Sequence, residues 1–293
     1  MVPDKDITLY SEAATLRCER VLASVLRAIG SPWRGRACLV GGLVPRYLLP
    51  EGPTPPAAGH VGSTDIDLAI SLVVGAANET AYATLERNLR RAGLERYKNS
   101  SWQWTADVDG HPVVLELLGE DEDTESGTLF GPRIAPPAGA GKLKLLCVRG
   151  VELALRDAVE IRREVVLLDG STSAVELRVA GLTPFVALKA DAYLDRREPK
   201  DAYDLIHVLR HWPGGPRAAA HAVAVSPIVS DAFVVSAFER FGGDFTSAEH
   251  AGPRDYARFL TGSVGGTAFA GMRDEALLVW RQFSEERESL AER

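Results

Sequence analysis

Two aspartates one residue apart, Asp65 and Asp67, stand in the stretch Ser63-Thr64-Asp65-Ile66-Asp67-Leu68-Ala69-Ile70. The run reads as a β-strand entered from a Pro/Gly-rich segment, and residues two apart on a strand share a face. Asp65, Asp67 and Ala69 then line one side, while Ile66, Leu68 and Ile70 point to the other and can enter a core. Two carboxylates on one face repel unless a proton or cation lies between them, and a hard divalent cation bound through oxygens answers that need. Two solvated acids on an edge strand satisfy an isolated D-x-D equally well. The rest of the chain must decide.

Three other groups could do chemistry. Gly41-Gly42 follows a short strand at 37–40 and precedes a helix over about 43–49. Glycine lets a backbone approach a phosphate closely, although a simple turn also explains a lone pair. Glu116 is the single acid in an otherwise apolar strand over 112–118. Burying it unpaired would cost roughly several kcal/mol, so it must face a partner or a solvated cleft. Downstream, a helix carrying Lys189, Asp191, Tyr193, Asp195 and Arg196 is broken at Pro199, and Lys200-Asp201-Ala202-Tyr203-Asp204-Leu205 opens another. A helix lysine such as Lys189 snorkels by default, or it contacts a phosphate.

These residues need elements to hold them. A helix over 11–29, capped by Ser11, buries Leu16, Val21, Leu22, Val25, Leu26 and Ile29. The segment 50–62 is a Pro/Gly loop. A helix over 78–92 buries Tyr82, Leu85 and Leu89. Its outer face and exit carry Arg87, Arg90, Arg91, Arg96 and Lys98, a solvated face or an RNA contact. A hairpin of 101–108 and 112–118 turns at Asp109-Gly110. The acidic run 120–125 reads as a solvated loop and 138–141 as a turn; 138–142 lacks the P-loop spacing. A helix over 151–161 leads to strands at 164–168 and 174–179 around Asp169-Gly170. Thr183-Pro184 supplies the cap and first-turn proline of the lysine helix. Beyond 211, Gly/Pro loops alternate with apolar helical stretches at 228–241 and 274–283. There is no internal repeat.

At 293 residues, with 46% hydrophobic and 25% charged residues, the chain is an ordinary globular protein of one or two domains. The expected division is a core over 1–181 and a helical domain over 182–293. No apolar run reaches the ~18 residues of a membrane span, and the start lacks a signal-peptide form, so a cytoplasmic location without membrane partner is expected. Three dispersed cysteines, Cys18, Cys38 and Cys147, exclude a disulfide framework and suggest no zinc site. A net charge of −7 argues against a non-specific nucleic-acid coat, while a local basic patch could still take RNA.

In combination, Gly41-Gly42, Ser63-x-Asp65-x-Asp67 and a later strand acid, Glu116, resemble the nucleotidyltransferase fold of the polymerase β superfamily. Lys189 to Arg196, followed by Lys200-Asp201-x-x-Asp204-Leu205, is similar to the lysine and aspartate motifs of AbiEii/MenT nucleotidyltransferase toxins. The resemblance covers about residues 37–209. It implies an α+β architecture, with a core of mixed sheet and helices followed by a mainly helical C-terminal domain completing the active-site cleft. It further implies Mg²⁺ or Mn²⁺ on Asp65, Asp67 and Glu116, and a nucleoside triphosphate against Gly41, Gly42, Ser63, Lys189 and Asp201. Asp65, Asp67, Lys189 and Asp204 are then the catalytic set. Asp204 or Asp201 would fix Lys189, the nucleotide or an acceptor hydroxyl. The acceptor implied is the 3′ end of tRNA, and the partner a cognate antitoxin protein. Two departures from the pattern are a longer loop before Asp65 and a glutamate as third carboxylate. The same chemistry on a small molecule such as an antibiotic is the nearest alternative, and a non-catalytic nucleotide-binding regulator the more distant one.

Overall fold

The computed structural model describes residues 7–30, 33–49, 59–71, 78–131 and 143–292. Most of the 50–62 loop, the 138–141 turn and the Tyr82 side chain lie outside the described set. In chain order the elements are α1 (Glu12–Ile29), β1 (Ala37–Val40), α2 (Pro45–Leu48), β2 (Asp65–Ile70), α3 (Asn78–Arg91), β3 (Glu95–Arg96), β4 (Gln103–Val108) and β5 (His111–Gly119). Then come β6 (Leu129–Phe130), β7 (Leu145–Cys147), α4 (Leu153–Arg156), β8 (Ala158–Val166), β9 (Thr172–Ala180), α5 (Leu182–Arg196) and α6 (Pro199–His211). The chain ends in α7 (Gly215–Ala224), α8 (Ala232–Gly243), α9 (Ala251–Thr261) and α10 (Gly266–Ala291). This is the expected α+β class. Among the described residues no helix is long and apolar enough to cross a membrane.

Packing divides the chain into two compact units, neither continuous in sequence. One takes Glu12–Leu43 and Ser63–Ala180; the other takes Met1–Ser11, Val44–Gly62 and Gly181–Arg293.

The first unit is a mixed sheet in the order β3-β4-β5-β2-β1-β9-β8, with β7 added to β5 and β6 to β7. Its centre is β2, parallel to β5 and antiparallel to β1. Ile66, Leu68 and Ile70 are buried as the alternation requires, and Val113, Leu115 and Leu117 continue the same layer on β5. The β4–β5 hairpin turns where expected, with left-handed φ at both Asp109 (57°) and Gly110 (80°), as a type I′ turn demands. α1 buries Val21, Leu22, Val25, Leu26 and Ile29; Leu16, expected inside, stays 45% exposed.

Several local expectations fail for identifiable reasons. The helix expected over 151–161 ends at Arg156, and β8 runs from Ala158 because β-branched Val159, Ile161 and Val165 find a nine-residue ladder on β9. The helix after the glycine pair is only Pro45–Leu48, since Gly41–Leu43 forms a 3₁₀ turn first. The acidic run is not purely solvated: Glu120 accepts from the backbone N–H groups of Gly150 and Glu152. Arg90 and Arg96 both bond Glu86 and lie 5.4 and 5.2 Å from the centre of the buried Trp104 ring. Arg96, 18% exposed, is held against the ring, while Arg90, 52% exposed, keeps the solvated face expected of it as well.

The second unit is helical. α10 packs along α7 and α9, and Phe241 gathers Tyr193, Phe245 and Trp280 at ring separations of 4.6–5.5 Å. α5 starts at Leu182, so Thr183 lies inside the first turn and Gly181 takes the cap position without a side-chain bond. Arg197, in the left-handed region at φ 53°, ends α5, and Pro199 opens α6 at its first turn.

Candidate functional site

Two constellations carry the candidate residues, one in each unit. In the sheet unit the register of β2 places Asp67 beside Glu116 of β5 and opposite Val40 of β1. Asp65, Asp67 and Glu116 therefore share one face of the sheet. The next residue after Val40 is Gly41, with φ +74°, and a Cβ built there would stand 1.9 Å from Asp67 Oδ2. Gly41 is thus required twice, for its backbone and for the space the carboxylate fills. Gly42 is buried in the same 3₁₀ turn.

Ser63, 2% exposed, donates from its hydroxyl to Asp65 Oδ1 at 2.8 Å. Its carbonyl accepts from the Cys18 thiol at 3.5 Å. Burial, and then the Asp65 charge, push that thiol up to about 12, so Cys18 is a neutral donor beneath the strand. Glu116 accepts from the side-chain amide of Gln103 at 2.8 Å. Gln103 is the partner a strand carboxylate needs, and counting outward from the Asp109-Gly110 turn puts it opposite Glu116.

The donor set suits a hard cation. Two aspartates on one face, one oriented by Ser63 and the other seated against Gly41, present carboxylate oxygens of the kind Mg²⁺ or Mn²⁺ takes. Among the described residues no group of three or more His, Cys, Asp or Glu side chains is placed to hold a metal. Glu116 is on the right face, with Gln103 on its carboxylate.

The helical unit holds a buried ion cluster at the junction of α5 and α6. Lys189 Nζ lies 2.8 Å from Asp201 Oδ1 and 2.7 Å from Asp204 Oδ2. Lys200, one turn before Asp204, donates to both of its oxygens at 2.7 and 2.9 Å. Arg196 grips Asp201 at 2.7 and 2.8 Å. The chain reversal at Arg197–Pro199 is what brings Lys189 and Arg196 of α5 against Asp201 of α6. A sixth member, His60, comes from the loop: its Nε2 is 2.8 Å from Asp204 Oδ1. Asp204 is fully buried, and His60, Lys189 and Lys200 are nearly so.

Burial alone would raise both aspartates, but the cations outweigh it. Lys189 and Arg196 hold Asp201 below the usual carboxylate range; Lys189, Lys200 and His60 hold Asp204 well below it. For Lys189, burial is overcome by Asp201 and Asp204, and its pKa rises. Lys200 goes the other way, because burial prevails over Asp204. Burial likewise lowers His60 in spite of Asp204. An aspartate ionised this firmly, with three basic side chains on its two oxygens, is a holder of cations and a poor proton acceptor.

The structure thus joins Gly41, Ser63, Asp65, Asp67 and Glu116 on one sheet face, and Lys189, Asp201 and Asp204 in one helical cluster. His60 was not foreseen, since nothing in a Pro/Gly loop marks one histidine as the partner of an aspartate 144 residues later. A family model described as nucleotidyl transferase AbiEii toxin, Type IV TA system, matches residues 60–268, a span that includes both constellations apart from the glycine pair. No curated protein and no solved structure matches the chain.

Proposed function

Because the chain belongs to the AbiEii nucleotidyl transferase toxin family of toxin–antitoxin systems, we propose that it moves a nucleoside monophosphate from a nucleoside triphosphate to the 3′ end of tRNA. Asp65 and Asp67 hold the divalent cations, Mg²⁺ or Mn²⁺, which when bound neutralise the triphosphate and favour in-line displacement at phosphorus. Ser63 orients Asp65 through its hydroxyl, and Gly41 and Gly42 offer a backbone without side-chain bulk to the phosphates. Lys189 supplies positive charge for the phosphates, with two of its three donors on carboxylates. Asp201 and Asp204 keep that ammonium charged and in place; neither takes the acceptor proton. A cognate antitoxin protein is the partner that neutralises the enzyme.

The observation that carries this reading is the Asp65–Asp67 pair with its local supports, the Ser63 hydroxyl at 2.8 Å and the side-chain-free Gly41 against Asp67. The test is incubation with total bacterial RNA, Mg²⁺ and each α-labelled nucleoside triphosphate in turn. Label in the tRNA band, removed by 3′ exonuclease and absent with chelator or with Asp67→Ala, is the expected result. Label on no RNA, with transfer to a small-molecule hydroxyl, would replace tRNA as acceptor. Nucleotide binding without any transfer would make the chain a regulator.

A further inference from the structure

We infer that His60 is a positioning residue, whose ring couples the lysine–aspartate cluster to the chain that enters the carboxylate strand; this rests on the transferase reading above. Three consecutive residues are tied to α6 or to the ring it holds. The backbone N–H of Gly62 donates to His60 Nδ1 at 3.0 Å. Nδ1 therefore carries no proton, and the neutral ring donates from Nε2 to Asp204 Oδ1. The backbone N–H of Val61 donates to the Tyr203 hydroxyl at 3.1 Å. The ring itself stacks on Tyr203, with centroids 5.3 Å apart and planes inclined by 27°.

Both ring nitrogens are used, each for a different purpose. Nε2 reads the cluster, because the oxygen it meets also accepts from Lys200, and the same carboxylate holds Lys189. Nδ1 shapes the chain, because the Gly62 bond fixes a turn at a residue with φ +86°. The next residue is Ser63, whose hydroxyl sets Asp65. A continuous series of bonds thus runs from Asp204 through the imidazole to Gly62, and by covalent continuity to Ser63 and Asp65. Glutamine reaches as far as Nε2 and cannot reproduce Nδ1; asparagine accepts from the N–H two residues on, as in an Asx turn, and cannot reach Asp204. Only the ring spans both. The other ionisable groups at the ring are Lys189, Lys200, Tyr203 and His207, and Asp204 keeps Lys189 and Lys200 when His60 is replaced, so the cluster does not lose its charge balance.

The experiment compares wild type, His60→Gln, His60→Asn and Asp67→Ala by backbone hydrogen exchange and by transfer of labelled nucleotide to total RNA. In His60→Gln, which loses the Gly62 bond, we expect faster exchange at Gly62, and in both variants faster exchange at Val61 spreading into 63–67, with α6 protected as in wild type. We expect kcat to fall ~10–100-fold, the loss a displacement of about 1 Å produces, at unchanged KM for the nucleotide. A residue that merely stabilised the fold would move thermal midpoint and KM together and leave exchange in 63–67 no different from elsewhere. Wild-type exchange in 60–67 in both variants overturns the inference. So does wild-type kcat in both when Asp67→Ala is inactive. If Asp67→Ala is itself as active as wild type, the assignment of the reaction to the Asp65–Asp67 strand falls and the exchange data alone decide for or against His60.

Discussion

Replacing Asp204 by asparagine tests whether this residue is the keystone of the ion cluster. Three cations (Lys189, Lys200, Arg196) face two carboxylates (Asp201, Asp204), a formal surplus of one positive charge. Asp204→Asn raises that surplus to two. Lys189 keeps Asp201, but Lys200, whose side chain is only 8% exposed, loses its counter-charge: of its two bonds, at 2.7 and 2.9 Å, the amide oxygen can accept only one. Leaving a buried charge unpaired costs about 3–5 kcal/mol. Lys200 can escape only by releasing its proton, and against an unfolded pKa near 10.4 that costs about 4.6 kcal/mol at pH 7. The penalty is thus capped near the top of the same range. For units of about 150 residues, at about 2–4 °C per kcal/mol, this corresponds to a melting-point drop of roughly 6–18 °C. The cap shrinks by about 1.4 kcal/mol per pH unit, so the gap from wild type should narrow between pH 7 and pH 9. Lys189→Met is the control: Asp201 keeps Arg196, Asp204 keeps Lys200 and His60, and the cluster becomes neutral. It should lose nucleotide affinity or rate while costing less stability than Asp204→Asn. Circular dichroism melts at several pH values are the assay. The reasoning fails if Asp204→Asn melts with wild type, if Lys189→Met costs more, or if the gap does not narrow.

Three further outcomes follow from the geometry. Asp67→Ala should abolish transfer with the fold retained, because it removes one of two carboxylates that need a cation between them; transfer by the folded variant would end the metal-site reading. Gly41→Ala should lose transfer nearly as completely, since its Cβ would fall 1.9 Å from Asp67 Oδ2 and its φ of +74° adds about 1–2 kcal/mol of strain; an active Gly41→Ala enzyme would show that the Asp67 position is not critical. His207 is buried with no hydrogen-bond partner for Nε2, and burial, then the neighbouring His60 and His211, hold its pKa down to about 2. The unfolded chain takes up that proton near pH 6.5, so stability is fully present above 6.5 and is lost as pH falls, by about 2 kcal/mol at pH 5. In His207→Phe that part of the pH dependence of the melting point should vanish; an unchanged dependence would assign it elsewhere.

What could be read from the chain depended on how local the determining interaction was. The D-x-D strand, the Asp109-Gly110 hairpin and the α5–α6 break at Pro199 are written in residues close together, and β2, the β4–β5 hairpin and α6 formed accordingly. The helix expected at 151–161 misled because Val159 and Ile161 suit a helix face or a strand, and only the ladder offered by β9 settles which. Lys189 and Asp201 were legible as a pair of motifs, since α5 and α6 are consecutive. Gln103 was derivable from the hairpin register. His60 was beyond reach, because its partner lies far along the chain and its own segment has no periodicity.

The interleaving of the two units has a consequence for how the protein is made. As the chain leaves the ribosome, residues 1–11 and 44–62 appear early, yet the rest of the unit they belong to begins only at Gly181. The strands can pair once β9 is out, while His60 waits for an aspartate not yet translated. A nascent chain halted before α5 has every strand found among the described residues and none of Lys189, Asp201 or Asp204. Domain-by-domain folding from the N-terminus, the usual order during synthesis, is open to the sheet unit, while the helical unit must wait to gather residues 1–11 and 44–62. If Lys189 serves the transfer as proposed, the chain gains no activity until α5 and α6 have been made, well past the middle of its translation.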